Sequence, residues 1–325
     1  MQYKENKPII NKEEIRLAIL GLSPGNGHPY SWSAIFNGYD ERLMTDECPY
    51  PAIPEYLNKQ PKNTIGIPNT RITHICCTGS GDFTADHVAQ CTFIPEVVQH
   101  PEDVIGKVDA VIIATDIGSE HVERARPFVE AGVPILIDKP LVDNAHDLAI
   151  FNDWVANGKP IFSASSMRYA KEYIPYQEST ANLGTLRFAS VTSSKDWDTY
   201  SIHALEGIYS IIGPGFISCV NTGSEERNIV HYKHASGLDV VVAVIKDMSG
   251  GFCQITLAGT KSAAYIMPTD SYYSFKKLLV KFVEYLRTGI RPFPYEQTEE
   301  LMRMLIAGRL SRECGAREIF LKAIL

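Results

Sequence analysis

Two short apolar runs that flank a helical segment constrain the fold of this chain more than any other stretch. The runs span residues 111–115 and 134–137 and are rich in β-branched side chains. Between them, residues 119–132 space apolar side chains at helical intervals, with Ser119 as a possible N-cap and Gly132 just beyond the end. Strands that are apolar on both faces are typical of parallel sheets covered by helices. The stretch therefore predicts a strand, a crossover helix and a second, parallel strand.

Two charged residues, Asp116 and Lys139, stand just beyond the ends of these strands. A right-handed crossover brings the carboxyl ends of both strands to one edge of the sheet, where ligands bind in open α/β folds. A lysine at such an edge is costly to desolvate, and desolvation lowers an amine pKa towards values that suit proton transfer. Lys139 is therefore a candidate catalytic residue, and the alternative is a structural lysine whose ammonium reaches solvent.

A glycine-containing segment follows the first predicted strand, which spans residues 14–21. Glycines at this point can bring backbone amides close to a pyrophosphate at a helix N-terminus. The spacing departs from the usual G-x-G-x-x-G pattern, however, and Pro24 has no amide proton to donate. A dinucleotide site and a plain turn are both compatible with the segment. The candidate cofactor contacts within it are Gly21, Ser23, Gly25, Asn26 and Gly27.

The rest of the first half completes a predicted doubly wound sheet. A helix is expected at residues 30–36, and residues 37–69 lack periodicity, which predicts an ordered insertion over the cofactor end of the sheet. The second strand, residues 71–77, ends at Thr78, where an acidic residue would normally bind the ribose of NAD. No arginine follows directly to neutralise the 2′-phosphate of NADP, so the choice between NAD and NADP stays open. The later predicted elements are a helix at 84–89, a strand at 93–94, a helix at 146–157 and a strand at 160–165.

Beyond residue 183 the pattern changes from alternating strands and helices to strands that follow one another. Runs of strand-forming residues are separated by Gly, Ser, Asn and Asp, which predicts a mostly antiparallel sheet. One helix near residues 202–212 interrupts them and carries His203, and two helices at 275–286 and 298–313 lie near the end of the chain. The predicted strands are residues 185–192, 231–234, 238–247 and 251–259.

These patterns predict an α/β plus α+β fold with two domains, as the length of 325 residues also indicates. The first domain, residues 1–165, is predicted as a Rossmann-type doubly wound parallel sheet with the insertion at about 37–69. The second, residues 166–325, is predicted as a mostly antiparallel open sheet with helices. The terminal helices could also pack back on the first domain.

Composition narrows the classes of function. A formal net charge of −7 without a basic stripe argues against a nucleic-acid partner. Neither a signal-peptide core nor an apolar run long enough to span a bilayer is found, which predicts no membrane association. The seven cysteines are scattered without a C-x-x-C spacing, so they predict reduced thiols in the cytoplasm and no metal site.

Three motifs together resemble the Gfo/Idh/MocA family of oxidoreductases, which includes glucose–fructose oxidoreductase and inositol dehydrogenase. Residues 114–132 look like the family's A-T-x-x-x-x-H helix, and Asp138-Lys139-Pro140 looks like its E-K-P signature with Asp in place of Glu. His203 is similar to the histidine of the family's D-x-x-x-H motif, and residues 291–294 separate two terminal helices, as in the family. The resemblance spans nearly the whole chain.

The resemblance implies an NAD(P)-dependent oxidoreductase that transfers hydride between a nicotinamide cofactor and a hydroxyl or carbonyl of a sugar, polyol or sugar derivative. Lys139 would orient and polarise the substrate hydroxyl, and His203 would take or return its proton. A homodimer or homotetramer assembled through the antiparallel sheet is also implied. The further cofactor contacts implied are Thr78, Thr115, Asp116 and Asp138, and the substrate contacts are Arg168, Tyr169, Trp197, Asp198 and Tyr200.

The chain departs from the family pattern four residues before the histidine. The family has an aspartate there, whereas this chain has Thr199, with Asp198 one position earlier. Either Asp198 takes that role or the role is absent. Two other functions therefore stay open: a non-catalytic dinucleotide-binding or regulatory protein, and a glycoside hydrolase that uses tightly bound NAD. Arg168 has a structural alternative as a salt bridge that ties the domains together, and Trp197 has one as core packing.

Overall fold

The computed structural model describes residues 7–77 and 83–324, and the chain groups into two compact units. Each unit contains one β-sheet. The predicted domain division at residue 165 stays a prediction. The first unit comprises the residues up to Asp138, 153–163 and 275–293, and the second comprises 139–152, 164–274 and the residues from Pro294 onward.

The first unit is built on a six-stranded sheet in which every strand is parallel to its neighbours. Its strands are β1 Ile15–Leu20, β2 Thr70–Cys76, β3 Glu96–Val97, β4 Ala110–Ile113, β5 Ile135–Ile137 and β6 Ile161–Ser163. The order across the sheet is β3-β2-β1-β4-β5-β6, which is the arrangement of dinucleotide-binding sheets. The prediction of a Rossmann-type sheet is therefore confirmed. β4 and β5 are buried along their whole length, which explains their uninterrupted apolar sequences.

Helices connect the strands in both units. They are α1 His28–Asn37, α2 Glu41–Glu47, α3 Ala52–Asn58, α4 Ala85–Thr92, α5 His121–Glu130, α6 Ala145–Ala156, α7 Ile174–Glu178, α8 Trp197–Ile212, α9 Ser271–Thr288 and α10 Tyr295–Glu313. Among the described residues, no helix combines the length and the apolar composition that crossing a bilayer requires.

The predicted strand–helix–strand unit lies at the centre of the first sheet. α5 joins β4 to β5 and buries an apolar face that includes Val122, Ala125 and Phe128. A 3₁₀ turn precedes α5, so the N-cap is Glu120 rather than the predicted Ser119. The carboxyl ends of β4 and β5 therefore reach the same edge of the sheet, as the sequence predicts.

Residues 37–69 were predicted as an ordered insertion in which no helix was recognised, and they contain α2, α3 and a 3₁₀ turn at Lys62–Thr64. Two seven-residue helices are too short to establish a visible apolar period. Their ends are set by local signals, since the side chain of Asp40 accepts a hydrogen bond from the Leu43 amide and caps α2. The predicted strand at residues 93–94 is wrong. Phe93 ends α4 with a φ of +56°, and the third strand of the sheet is β3.

The second unit contains a seven-stranded sheet with the order β12-β11-β7-β10-β9-β8-β13. Its strands are β7 Leu186–Ser194, β8 Phe216–Asn221, β9 Arg227–His234, β10 Asp239–Ile245, β11 Ile255–Gly259, β12 Ala263–Ile266 and β13 Ile319–Phe320. Only the pairing of β7 with β10 is parallel among these described strands. The prediction of a mostly antiparallel sheet with helices is confirmed, although β8, β12 and β13 were not predicted.

Trp197 fixes the start of α8 against α10. Its side chain is buried, and its indole N–H donates a hydrogen bond to the carbonyl oxygen of Leu305 at 2.9 Å. Gly308 lies so close to the indole ring that a Cβ at this position would overlap Cζ2 of Trp197. Since α8 carries His203, this contact positions a candidate catalytic residue.

Replacing Gly308 with alanine will destabilise the second unit, because the added methyl group would overlap a buried ring. Overpacking of this kind costs about 1–3 kcal/mol of unfolding free energy, which urea denaturation measures. The cost will be smaller in a Trp197→Phe background, because phenylalanine lacks the overlapping Cζ2 atom. An equal cost in both backgrounds would contradict the proposed contact.

Candidate active site

Residues Gly21 to His28, here called the glycine segment, follow β1 in the first unit. Gly21 has a φ of +80°, and a Cβ at this position would lie 2.8 Å from Cγ2 of Thr115. A Cβ at Gly27 would lie 2.6 Å from Cδ1 of Ile53 on α3. Both positions therefore need glycine for space, and residue 21 also needs it for its left-handed backbone. The insertion thus packs directly on the glycine segment.

Polar side chains of the glycine segment bind the ends of the neighbouring strands. The hydroxyl of Ser23 donates a hydrogen bond to Asp116, just beyond β4. The amide nitrogen Nδ2 of Asn26 donates to the carbonyl of Ala114 at 2.9 Å and to Oδ2 of Asp138 at 3.1 Å. These bonds join the segments that follow β1, β4 and β5 at one edge of the sheet. Four of the predicted cofactor contacts, Ser23, Asn26, Asp116 and Asp138, are brought together in this way.

Two histidines support the same edge. His28 contacts the Asp138 carboxylate through Nδ1, and its ring stacks on the indole of Trp32 with centroids 4.4 Å apart. Nε2 of His121 lies 2.9 Å from the carbonyl oxygen of Thr115. His121 is buried and holds the backbone of the β4 end, so its described contact is structural.

The first unit has features that fit a dinucleotide. The hydroxyl of Thr115 is buried and has no hydrogen-bond partner within the described part of the chain. Burying an unpaired hydroxyl is unfavourable, so a ligand oxygen there would stabilise it. A cleft of about 230 Å³ opens beside Gly21 at the ends of β1 and β4, and Arg124 lines it. The guanidinium of Arg124 pairs with the Glu120 carboxylate at 2.6 Å, and Glu102 and Glu123 also line the cleft.

Arg124 was not predicted from the sequence, although it lies in the first turn of the crossover helix that the sequence does predict. Gly25 has a φ of +76°, and a Cβ there would meet no atom within 4 Å. Thr78, the predicted ribose contact, lies outside the described residues. The roles of the predicted residues of the first unit as cofactor contacts stay predictions.

In the second unit, Lys139 lies against the ring of Tyr200. Its ammonium nitrogen is 5.0 Å from the ring centroid, and the residue is only 3% exposed. A second lysine, Lys195, has its ammonium nitrogen 4.1 Å from the same ring and donates a hydrogen bond to the Tyr200 hydroxyl at 2.5 Å. Lys195 has a φ of +68°, which is unusual for a residue with a side chain. Sequence patterns did not predict a role for Lys195.

His203 lies on α8 beside the same ring. Its ring centroid is 5.3 Å from that of Tyr200 and 5.4 Å from that of Phe252. Nδ1 of His203 is 2.8 Å from the hydroxyl oxygen of Ser165, which follows β6. We call Lys139, Ser165, Tyr200, His203 and Phe252 the His203 cluster. The structure therefore brings the two predicted catalytic residues to one aromatic ring, and adds Ser165 and Phe252, which the sequence did not indicate.

A buried ion pair lies behind the His203 cluster. Arg168 Nε donates to Oε1 of Glu206 at 2.6 Å, and the other carboxylate oxygen of Glu206 accepts from the Ser165 amide at 2.6 Å. Arg168 Nη1 also donates to Gln297 at 3.0 Å. Burial raises the pKa of the Glu206 carboxyl, and the Arg168 guanidinium and the Ser165 amide oppose that rise. Both partners of this salt bridge belong to the second unit, so the alternative of a salt bridge that ties the domains together stays a prediction.

The remaining predicted substrate contacts differ in their surroundings. Trp197 packs in the core as described above, and Tyr169 is half-buried. The carboxylate of Asp198 accepts a hydrogen bond from Arg309 at 3.2 Å. Burial raises the pKa of Asp198, and Arg309 opposes the rise. Asp198 is therefore engaged by a residue of α10, and the substrate roles of Trp197, Asp198, Tyr169 and Tyr200 stay predictions.

No group of three or more His, Cys, Asp or Glu side chains that could hold a metal ion occurs in residues 7–77 and 83–324. All seven cysteines are free thiols, and four of them are buried. The His203 cluster places an ammonium group and an imidazole beside a phenol. These groups can transfer protons and can stabilise negative charge on a bound oxygen.

No protein-family model matches the chain. Inositol 2-dehydrogenase of Rhodococcus erythropolis is 36% identical over 106 residues, which are 31% of this chain and 30% of that protein. The match therefore spans less than a third of the length of the curated relative.

Solved structures match over nearly the whole chain. The scyllo-inositol dehydrogenase of Lactobacillus casei superposes with a TM-score of 0.72 at 12% identity, over 96% of this chain and all of that one. An oxidoreductase of Agrobacterium radiobacter, in complex with NAD⁺, L-tartaric acid and magnesium, superposes with a TM-score of 0.69 at 14% identity. That superposition also covers 96% of this chain and the whole of the other. At these identities the likeness establishes the fold. The predicted two-domain fold is therefore confirmed, and this chain shares it with solved structures of inositol dehydrogenases.

Proposed function

We propose that this chain is an NAD(P)-dependent oxidoreductase acting on a CH–OH group, or on the corresponding carbonyl, of a sugar, polyol or sugar derivative. The observation that carries the proposal is the His203 cluster, in which Lys139 and His203 lie against the ring of Tyr200. Alcohol oxidation and carbonyl reduction each need a proton carrier and a group that stabilises charge on the substrate oxygen. A buried ammonium and an imidazole can meet both needs.

The glycine segment supports the binding of a nicotinamide dinucleotide by the first unit. The hydroxyl of Thr115, which has no hydrogen-bond partner among the described residues, can meet a ligand oxygen. Arg124, which pairs with Glu120, can also meet the pyrophosphate from the side of the cleft. When bound, the nicotinamide ring accepts or supplies the hydride. The related oxidoreductase of Agrobacterium radiobacter binds NAD⁺ in the same fold, which supports a nicotinamide cofactor here.

The indole of Trp32 stacks on His28, the last residue of the glycine segment. Binding of the cofactor at the glycine segment will therefore change the fluorescence of Trp32. Titration with NAD⁺, NADH, NADP⁺ and NADPH will show higher affinity for either the NAD pair or the NADP pair, and this difference identifies the cofactor. A Trp32→Phe variant will lose most of the signal, while calorimetry will still detect binding. Failure of all four dinucleotides to bind would contradict the proposed cofactor.

A Lys139→Met variant will lose most of its activity, because methionine keeps the length of the side chain and removes the ammonium. General acid–base catalysis contributes about 100- to 10,000-fold to rate, so kcat will fall within that range. The change in absorbance at 340 nm with a panel of polyols and sugars measures it. Dinucleotide affinity will change less than twofold.

Lys233→Met is the matched control, because Lys233 lies on β9 and pairs with Glu318 at 3.0 Å, without a described contact to the His203 cluster. This variant will keep both activity and binding. Undiminished turnover in Lys139→Met would exclude the assigned role of that lysine. Dinucleotide binding with no turnover in the unmodified chain would favour the non-catalytic alternative.

We also propose that the second sheet assembles with a second copy of the chain. Large apolar side chains alternate with buried ones along its strands and are exposed on the face that does not cover the core. Exposed apolar patches of this kind mark interaction sites. They comprise Phe188, Ile217, Ile229, Tyr265 and Phe320, of which Tyr265 is 76% exposed.

Light scattering will therefore give a mass of two or four times 36.2 kDa for the unmodified chain. An Ile229→Glu variant will shift the mass towards that of one chain, because a charge in the apolar face disfavours its burial. Glu318→Gln, at a polar position near the same sheet, will leave the mass unchanged. A single-chain mass before substitution would exclude the proposed assembly.

A further inference from the structure

Ser165 is the residue that contacts Nδ1 of His203. Both residues are buried, with Ser165 fully inaccessible and His203 7% exposed. The hydroxyl oxygen of Ser165 is 2.8 Å from His203 Nδ1 and 3.1 Å from the backbone nitrogen of Met167. The Ser165 amide is itself held by Glu206. The serine is thus fixed on both its backbone and its side chain.

The hydrogen-bond partners of the Ser165 hydroxyl determine which atom accepts its hydrogen. The Met167 amide can only donate, so the Ser165 oxygen is the acceptor in that bond. Within the described part of the chain, the proton of the hydroxyl has one available acceptor, which is Nδ1 of His203. If Nδ1 carried a proton instead, the Ser165 proton would be buried without an acceptor. That arrangement is disfavoured by roughly 5- to 150-fold in population.

We propose that Ser165 is a positioning residue that holds neutral His203 with its proton on Nε2. The hydroxyl donates to Nδ1, and Nε2 is then a hydrogen-bond donor on the opposite side of the imidazole. A carboxylate at this place would have the reverse effect, because it can only accept and would keep the proton on Nδ1. Thr199 stands where the family pattern has an aspartate, and Asp198 is engaged by Arg309. The described contact to Nδ1 comes from Ser165, in the segment that follows β6.

The consequence for the reaction rests on the proposed function. An Nε2–H group cannot take a proton from a substrate hydroxyl, but it can hold a carbonyl or alkoxide oxygen. In the reduction direction, the substrate carbon gains a hydride from the reduced nicotinamide, which becomes oxidised. The substrate oxygen gains a proton from the Lys139 ammonium, which becomes a neutral amine. His203 keeps its proton throughout, so the proton carrier is Lys139, the reverse of the roles that the resemblance implies.

The tautomer can be measured without any reaction. Nitrogen-15 NMR of the imidazoles in the full chain distinguishes protonated from unprotonated ring nitrogens, and loss of the signals in a His203→Gln variant assigns them. We expect Nε2 to be protonated and Nδ1 unprotonated in the neutral ring. Ser165→Thr, which retains the hydroxyl, will keep this pattern, and Ser165→Ala will lose the preference. A proton on Nδ1 in the unmodified chain would overturn the proposal, and this result needs no variant.

Two substitutions of His203 test its role in catalysis. In His203→Gln the side-chain oxygen can accept from Ser165 and the amide N–H₂ can donate to the substrate, so glutamine reproduces both hydrogen bonds of the Nε2–H imidazole. Glutamine cannot act as a base. We therefore expect kcat of His203→Gln to be at least tenfold higher than that of His203→Ala, with dinucleotide affinity equal in both. Equal kcat values would overturn the reversal of roles.

Failure of the inference and failure of the proposed function are distinguishable. If no polyol or sugar is turned over, the proposed function fails, while the NMR result still decides the tautomer. If turnover occurs and Nδ1 carries the proton, the function stands and the role of Ser165 is wrong. Ser165→Ala will also lower kcat, because part of the imidazole then carries its proton on Nδ1, while dinucleotide affinity stays unchanged. Loss of folding alone would lower both.

Discussion

The buried ion pair of Arg168 and Glu206 is the interaction on which the second unit's candidate site depends. A carboxylate without solvent is tolerated only when a cation and further donors surround it. Arg168 supplies the cation, and the Ser165 amide supplies one donor. The segment after β6 is thereby held to α8, since Glu206 lies on that helix. The position of Ser165 beside His203 follows directly from this pair.

The two units meet the same requirement, to satisfy buried polar groups at strand ends, in different ways. In the first unit, neutral and charged side chains of the glycine segment bond to backbone and carboxylate groups beyond β4 and β5. In the second unit, one carboxylate organises the polar groups around it. Within the described part of the chain, the first arrangement leaves the Thr115 hydroxyl without a hydrogen-bond partner, whereas the second gives Nδ1 of His203 a defined partner in Ser165.

The parts of this molecule that sequence patterns predicted are those with a local cause. The apolar runs of β4 and β5, the spacing in α5 and the motif around Lys139 each follow from consecutive residues. Ser165 and Arg124 could not be predicted in the same way, because their importance comes from neighbours far away in the chain. The helices α2 and α3 were missed for another reason, since a two-turn helix shows too few apolar positions to reveal a period.

The close approach of the insertion to Gly27 links two segments that a sequence alignment would treat as independent. Tyr50 and Ile53 occupy the space that a side chain at residue 27 would need. A larger residue at 27 thus requires smaller residues at 50 and 53, and loss of α3 would remove the reason for the glycine. These three positions are expected to vary together among relatives. The insertion is therefore one wall of the glycine segment, and we expect its exchange for an unrelated surface loop to leave a gap beside residue 27.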